Sequence, residues 1–280
     1  MTGGRLRSAS AMRRLRIGSK ILRVRDEPEP PPSHPGAPTP LVCIHGAGMS
    51  GVVWMDLLRQ IAPARRIIAP DLPGHGQSDP WHDSSTDLYR DAVGTMCAHL
   101  KVPRVVVIGH SLGGAVALRC AVSWPERIAA VILVASAARL DVPEELMRAL
   151  AQELPEGDES MVEEMPASLT DLAFSPATHR DVCARWKSVL MQATRKVVLA
   201  DFALCRGLNL LPQLDQLRTP ALLIGGADDL LVSTDQLAET QRAILGAERA
   251  IIPDAGHFPM LEQPAAFVAT LKQFLTKIPS

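Results

Sequence analysis

The run Val105-Val-Val-Ile-Gly-His-Ser-Leu-Gly-Gly-Ala-Val-Ala-Leu-Arg119 constrains this chain more than any other stretch. It opens as a β-branched apolar segment, which predicts a buried strand over 104–109. It closes on good helix formers, which predict a helix over 112–122. Between them lies Gly109-His-Ser-Leu-Gly113, a G-x-S-x-G pattern. A strand that turns directly into a helix bends sharply at Ser111. The glycines remove Cβ clashes at the bend, so the serine hydroxyl projects from the end of the sheet. The helix N-terminus then aims its free N–H groups and positive dipole end at the same place. Both features suit a nucleophile that generates an oxyanion.

Glycine is about 7% of residues, so a bare G-x-S-x-G arises by chance in roughly one chain in ten of this size. The surrounding pattern therefore has to decide. Short apolar strands are expected at 41–44, 66–70, 104–109, 127–134, 221–224 and 249–252. Helices are expected at about 51–61, 86–100, from 234, and 264–277. This alternation implies right-handed βαβ units, hence a parallel sheet covered on both faces. Residues 12–17 and 20–25 alternate apolar and basic around Gly18-Ser19, which predicts a hairpin at a sheet edge, where charge is tolerated. A basic surface patch and an Arg-rich transit peptide are the competing readings of residues 1–25, which hold eight Arg and Lys and no acid. Residues 1–11 are expected to be a disordered tail, and Met12 is a second candidate start. The proline-dense stretch Pro28 to Pro40 reads as a stiff loop.

The rhythm breaks between 137 and 211, where no strand is expected. Helices are predicted near 143–153, 159–165 and 179–205, so 137–211 is read as a helical cap on a core made of 12–136 and 212–280. Its 141–171 half holds ten acids and one base. Met147, Met161, Met165 and Met191 suggest either internal packing or an adaptable apolar wall over a site.

Composition narrows the classes. Net charge is −1 and aromatics are 4% of residues, so neither a nucleic-acid face nor a base-stacking platform is expected. No apolar run approaches a membrane span, and no leader-type apolar region precedes the core. Five scattered cysteines without a C-x-x-C pair suggest reduced thiols in the cytoplasm. No His, Cys and Asp cluster has ligand spacing, so no metal is expected, and none of the functional readings below needs a cofactor.

Chemically apt groups follow four strand ends: His45-Gly-Ala-Gly48, Ser111, Asp228-Asp229 and His257. Together with Asp71-Leu-Pro-Gly-His-Gly-Gln-Ser78 and Gly256-His-Phe-Pro-Met-Leu-Glu-Gln-Pro264, they make the chain resemble the α/β-hydrolase superfamily over about 40–275, in its serine-nucleophile, cap-bearing, esterase and lactonase-like branch. The resemblance implies a mostly parallel, twisted, eight-stranded sheet with a cap insertion. It also implies the order nucleophile, acid, base, here Ser111, Asp229 and His257, with Asp228 as the alternative acid. Ser111 would attack, His257 would take its proton, and the carboxylate would orient the imidazole. The N–H groups of Ala47 and Leu112 would form the oxyanion hole. Leu231-Val232 fits the family pattern, whereas Ser233 stands where a proline is usual. His110 should point away from the serine oxygen, and His45 and His75 read as parts of turns.

Relatives acting on epoxides or haloalkanes carry an aspartate at the elbow, so Ser111 points instead to carboxylic esters. The favoured substrates are small to medium, neutral and apolar in the acyl part. The alternatives are an enol-lactonase, a C–C bond hydrolase, or a ligand-binding relative without turnover. The first two take carboxylate-bearing substrates and need a basic pocket residue, for which Arg180, Arg185, Arg195 and Lys196 are the candidates.

Overall fold

The architecture, taken from a computed structural model, is described for residues 12–27, 38–61, 65–81, 83–157 and 159–279. The expected tail at 1–11 and most of the proline-dense stretch lie outside the described residues. Strands β1 (Met12–Ile17) and β2 (Lys20–Asp26) form the hairpin, turning at Gly18 with φ +61°. β1 is outermost in the sheet and leaves Arg13, Arg14 and Arg16 in solvent. The buried Asp26 of β2 is held by a two-toothed contact from Arg66, at 3.0 and 2.9 Å.

The hairpin leads into β3 (Leu41–Ile44), β4 (Ile67–Pro70), β5 (Val105–His110) and β6 (Ile128–Val134). Every residue of these four strands is buried, which requires cover on both faces. A two-residue antiparallel ladder, β7 (Arg139–Leu140) with β8 (Leu208–Asn209), joins the two ends of a helical insertion. The sheet resumes with β9 (Ala221–Gly226) and ends at β10 (Glu248–Ile252). Its eight strands run in the order β1-β2-β4-β3-β5-β6-β9-β10, antiparallel at the first two pairings and parallel from β4 onward. The β4-β3-β5 reversal places the carboxyl ends of β3 and β5 side by side, with Ile44 opposite Gly109. That is the point where such sheets hold ligands.

Helices α1 (Met55–Ile61), α2 (Thr86–His99) and α3 (Leu112–Ser123) follow β3, β4 and β5. Ser85 caps α2 by accepting the Leu88 N–H at 3.0 Å. The insertion carries α4 (Glu144–Glu153), α5 (Ala167–Ala173), α6 (Arg180–Leu190) and α7 (Arg195–Cys205). The chain then forms α8 (Thr234–Ala243), the one-turn α9 (Pro259–Glu262) and α10 (Pro264–Leu275). Ser233, the departure from the family's proline, begins α8 with a capping box to Gln236, so the substitution supplies a cap in place of a stiff turn.

Two insertion helices differ from expectation. Residues 159–165 form no helix: a turn closed by the Ser160 N–H on the Gly157 carbonyl leads into a bridge of Met161 with Thr194, and the Val162 N–H donates to the Ala193 carbonyl. The helix forms instead at Ala167–Ala173, directly after Pro166, which starts it rather than ending one. The 179–205 helix is two helices. Met191 to Thr194 run between them, and the Thr194 side chain caps the second. Tertiary backbone partners explain the break: the Gln192 N–H bonds Gly48, the Gln192 carbonyl bonds Gly76, and His75 bridges Ala193. Among the described residues no helix is long and apolar enough to cross a membrane. All five cysteines are unpaired.

Candidate active site

Ser111 sits between the last residue of β5 and the first of α3, at φ 52° and ψ −122°. A non-glycine residue there is strained, and close packing on every side enforces it. A Cβ on Gly109 would lie 2.0 Å from the Gly113 carbonyl oxygen, and one on Gly113 would lie 2.3 Å from that of His45. Ser136 closes the bend from below, donating its hydroxyl to the Ser111 carbonyl at 2.7 Å. Leu112 is the first residue of α3, where N–H groups have no intrahelical acceptor.

His257 follows β10 and is 3% exposed. Its Nδ1 lies 2.9 Å from Asp229 Oδ2 and 3.1 Å from Oδ1. The carboxylate is itself fixed, because Oδ1 accepts the N–H groups of Leu231 and Val232, both at 2.9 Å. Asp228 turns elsewhere and accepts the Ser175 hydroxyl at 2.6 Å. Of the two candidate acids, Asp229 is therefore the one that meets the imidazole.

The loop carrying His257 is held at three successive N–H groups. Those of Gly256 and Phe258 donate to Glu262 Oε1, each at 3.0 Å, and that of His257 donates to the Ala173 carbonyl at 2.6 Å. Glu262 also accepts the Ser175 N–H at 2.8 Å and the Thr178 hydroxyl, so one carboxylate joins this loop to the insertion. Sequence reasoning assigned Glu262 no part. Its signal was an acid one turn past the histidine, on a helix too short to need one. His110 does point away from the bend: its Nε2–H donates to the His257 carbonyl at 2.8 Å, and its ring stacks on Phe258. Burial and the neighbouring His257 hold its pKa well below the usual histidine value, so the ring is neutral.

Ser111, His257 and Ala47 line one cavity of about 280 Å³. Its walls come from the insertion, through Leu146, Leu169 and Phe202, and from the strand-end loops, through Leu231 and Val232. Leu230, 70% exposed, and the exposed Asp141 also line it. The four insertion methionines are not among its lining. Met165 and Met191 are buried in packing and Met161 is half exposed, which favours the internal-packing reading. None of Arg180, Arg185, Arg195 or Lys196 reaches the cavity. Arg185 faces Asp56 at 3.8 Å and Arg195 donates to the Ala151 carbonyl at 2.8 Å. A larger cleft of about 450 Å³ opens at the opposite ends of the strands, beside Cys97 and Trp124, and contains none of these groups. Burial pushes the Cys97 thiol up to about 11, which leaves it a poor nucleophile there.

His45 and His75 both lie in turns. His45 Nε2 accepts the Leu72 N–H at 2.9 Å, tying the turn after β3 to the one after β4. His75 pairs with Asp201 of α7 at 2.8 Å. Asp201, a buried carboxylate from the insertion, was not foreseen, although an acid within Val197-Val-Leu-Ala-Asp-Phe-Ala-Leu-Cys205 is a visible anomaly in an apolar run. Among the described residues no three His, Cys, Asp or Glu groups gather as metal ligands.

The chain is similar to several known proteins. The chain is 28% identical to a pimeloyl-[acyl-carrier protein] methyl ester esterase from Photobacterium profundum, over 86% of this chain and 96% of that one. An esterase from Thermogutta terrifontis superposes with a TM-score of 0.80 at 22% identity, covering 96% of this chain and 100% of that one. The enol-lactonase from Burkholderia xenovorans gives 0.81 at 24% identity, over 94% and 100%. Those two structures share the fold. The model of the alpha/beta hydrolase family matches residues 41–270. With that match spanning most of its length, the chain belongs to the alpha/beta hydrolase family.

Proposed function

We propose that this protein is a serine esterase that cleaves carboxylic esters with small to medium, neutral, apolar acyl groups. In this reading Ser111 Oγ attacks the acyl carbon while His257 Nε2 takes the hydroxyl proton. The carbonyl oxygen becomes an oxyanion facing the N–H groups of Leu112 and Ala47. Asp229 holds the imidazole in the tautomer with its proton on Nδ1 and stabilises the cation that forms. The ester C–O bond then breaks, and His257 returns the proton to the departing alkoxide. Water attacks the acyl-enzyme by the same route in reverse, releasing the acid and restoring Ser111. The insertion acts as the cap that excludes bulk water from the acyl group.

The observation that carries the substrate class is the cavity lining. Ser111 and His257 open onto walls of Leu, Val and Phe, with no Arg or Lys among the lining residues and Asp141 as the one acid among them. A carboxylate-bearing lactone or ring-cleavage product would enter without a counter-charge and would meet Asp141, a penalty that grows as water is excluded. The preformed His257–Asp229 contact favours turnover over a ligand-binding role.

Hydrolysis of p-nitrophenyl esters from acetyl to dodecanoyl, by wild type and Ser111→Ala, tests the reading. Turnover with an optimum at short to medium chains, falling by about 10⁴-fold or more in the variant, is expected. Equal rates in the two proteins, or turnover confined to carboxylate-bearing lactones, would overturn it.

A further inference from the structure

The turn that carries Ala47 is gripped from outside the sheet. Gly48 closes this turn at φ +65°. Its carbonyl accepts the Gln192 N–H at 2.8 Å, and its own N–H donates to Asp201 Oδ2 at 2.9 Å. Both partners belong to the second half of the insertion. The same half closes over the glycine sterically: a Cβ there would lie 2.8 Å from Met191 Cε and 2.9 Å from Val198 Cγ2.

Asp201 is 1% exposed, and burying a carboxylate is costly unless its oxygens are satisfied. They are satisfied by three separate core elements. Besides Gly48 after β3, Oδ2 faces His75 Nε2 at 2.8 Å, from the loop after β4. Oδ1 accepts the Tyr89 hydroxyl of α2 at 2.6 Å. One side chain on α7 thus fixes the relative places of the turn after β3, the 71–78 loop and α2. A hydrophobic residue at 201 would leave three buried donors without an acceptor.

We propose that Asp201 is a positioning residue for the oxyanion hole: by binding the Gly48 N–H it sets the turn that presents the Ala47 N–H to the acyl oxygen. This makes the second half of the cap a fixed part of the catalytic centre, complete only when α7 is seated. The proposal rests on the serine esterase reading for its kinetic consequence, and on hydrogen-bond geometry alone for its structural one.

Asp201→Ala and Asp201→Asn in the full-length protein test it. Three readouts are needed: amide exchange of residues 46–49, the rate at which a fluorophosphonate labels Ser111, and kcat and KM on the best p-nitrophenyl ester. The alanine variant should exchange faster at 46–49 but not at 109–114. It should lose at least about tenfold in kcat and in labelling rate, with KM nearly unchanged, because a displaced oxyanion donor acts on the transition state. Asparagine can still accept from Gly48 and His75 while its amide donates to Tyr89, so it should recover most of both rates. Should the alanine variant fail to fold, Asp201→Ser keeps a polar group in the site but falls one bond short of Gly48, and the same losses are expected. Unchanged exchange at 46–49, or kcat and labelling within twofold of wild type in a folded variant, would overturn the proposal. If wild type itself is not labelled at Ser111, the esterase reading fails, and exchange at 46–49 alone then decides whether Asp201 holds the turn.

Discussion

The two loops that meet at Ser111 are held by different physics. The elbow at 109–114 is held by contact: Gly109 and Gly113 lie against backbone of the elbow itself and of Ile44 and His45, and Gly114 against the Ser136 side chain, each closer than any Cβ could come. The turn at 45–48 is packed as well, at Gly46 against His110 and at Gly48 against Met191 and Val198, but it is also tied by polar bonds from an insertion more than a hundred residues away, through Gln192 and Asp201. Steric enforcement is rigid and local. Polar enforcement is adjustable and depends on how the insertion seats. One donor of the proposed oxyanion hole, Leu112, belongs to the first kind of loop and the other, Ala47, to the second.

The largest effect should come from breaking the steric side. Gly113→Ala places a methyl group 2.3 Å from the His45 carbonyl oxygen and 2.6 Å from that of Ile44, and neither can move without shifting β3. A loss of more than about 3 kcal/mol is expected, seen as a collapse of the urea midpoint or of soluble yield. A midpoint near wild type would show that the elbow is looser than its contacts imply.

A smaller effect separates the two acids. Asp229→Asn should lower kcat by about 10²-fold or more, since the amide can hold the imidazole in the wrong tautomer. Asp228→Asn should stay within a few fold, because its partner is Ser175 rather than His257. Matching losses in the two variants would break the assignment.

The smallest effect sharpens the polar side. Burial alone would lower the pKa of His75, but Asp201, the Pro73 carbonyl and Asp71 outweigh it and hold the imidazole above its ordinary value. The His45 ring, 4.9 Å away, and Tyr89, 5.8 Å away, complete its surroundings. A raised folded pKa gives stability that is fully present below the unfolded value of about 6.5 and is lost as pH rises through the folded value. The Tm gap between wild type and Asp201→Asn should therefore be widest below about pH 6.5 and narrow above it. A gap that is flat with pH would mean that the pair is not charged.

This contrast also explains what could be read from the chain. The strand-elbow-helix unit was visible because it lies in one contiguous segment whose periodicity reports it, whereas the order Ser111, Asp229, His257 came from the resemblance to the α/β-hydrolase superfamily. Asp201 and Glu262 act across 153 and 87 residues on Gly48 and Ser175, and no local pattern encodes such a partner. The same cause split the helix expected at 179–205. Its local propensity is helical, but Met191 to Thr194 bond instead to the turns at Gly48 and Gly76 and to Val162. Pro166 misled in the opposite sense, since a proline ends one helix and begins another equally well.

A pre-steady-state experiment on a p-nitrophenyl ester of medium chain length reaches the chemistry most directly. The enzyme is mixed with ester, quenched in acid within the first turnover and digested for mass spectrometry. Acyl transfer to Ser111 predicts a burst of p-nitrophenolate close to one per enzyme, and a mass increment equal to the acyl group on the peptide containing Ser111. Release of p-nitrophenolate with no adduct at Ser111, or with the acyl group on another residue, would contradict it.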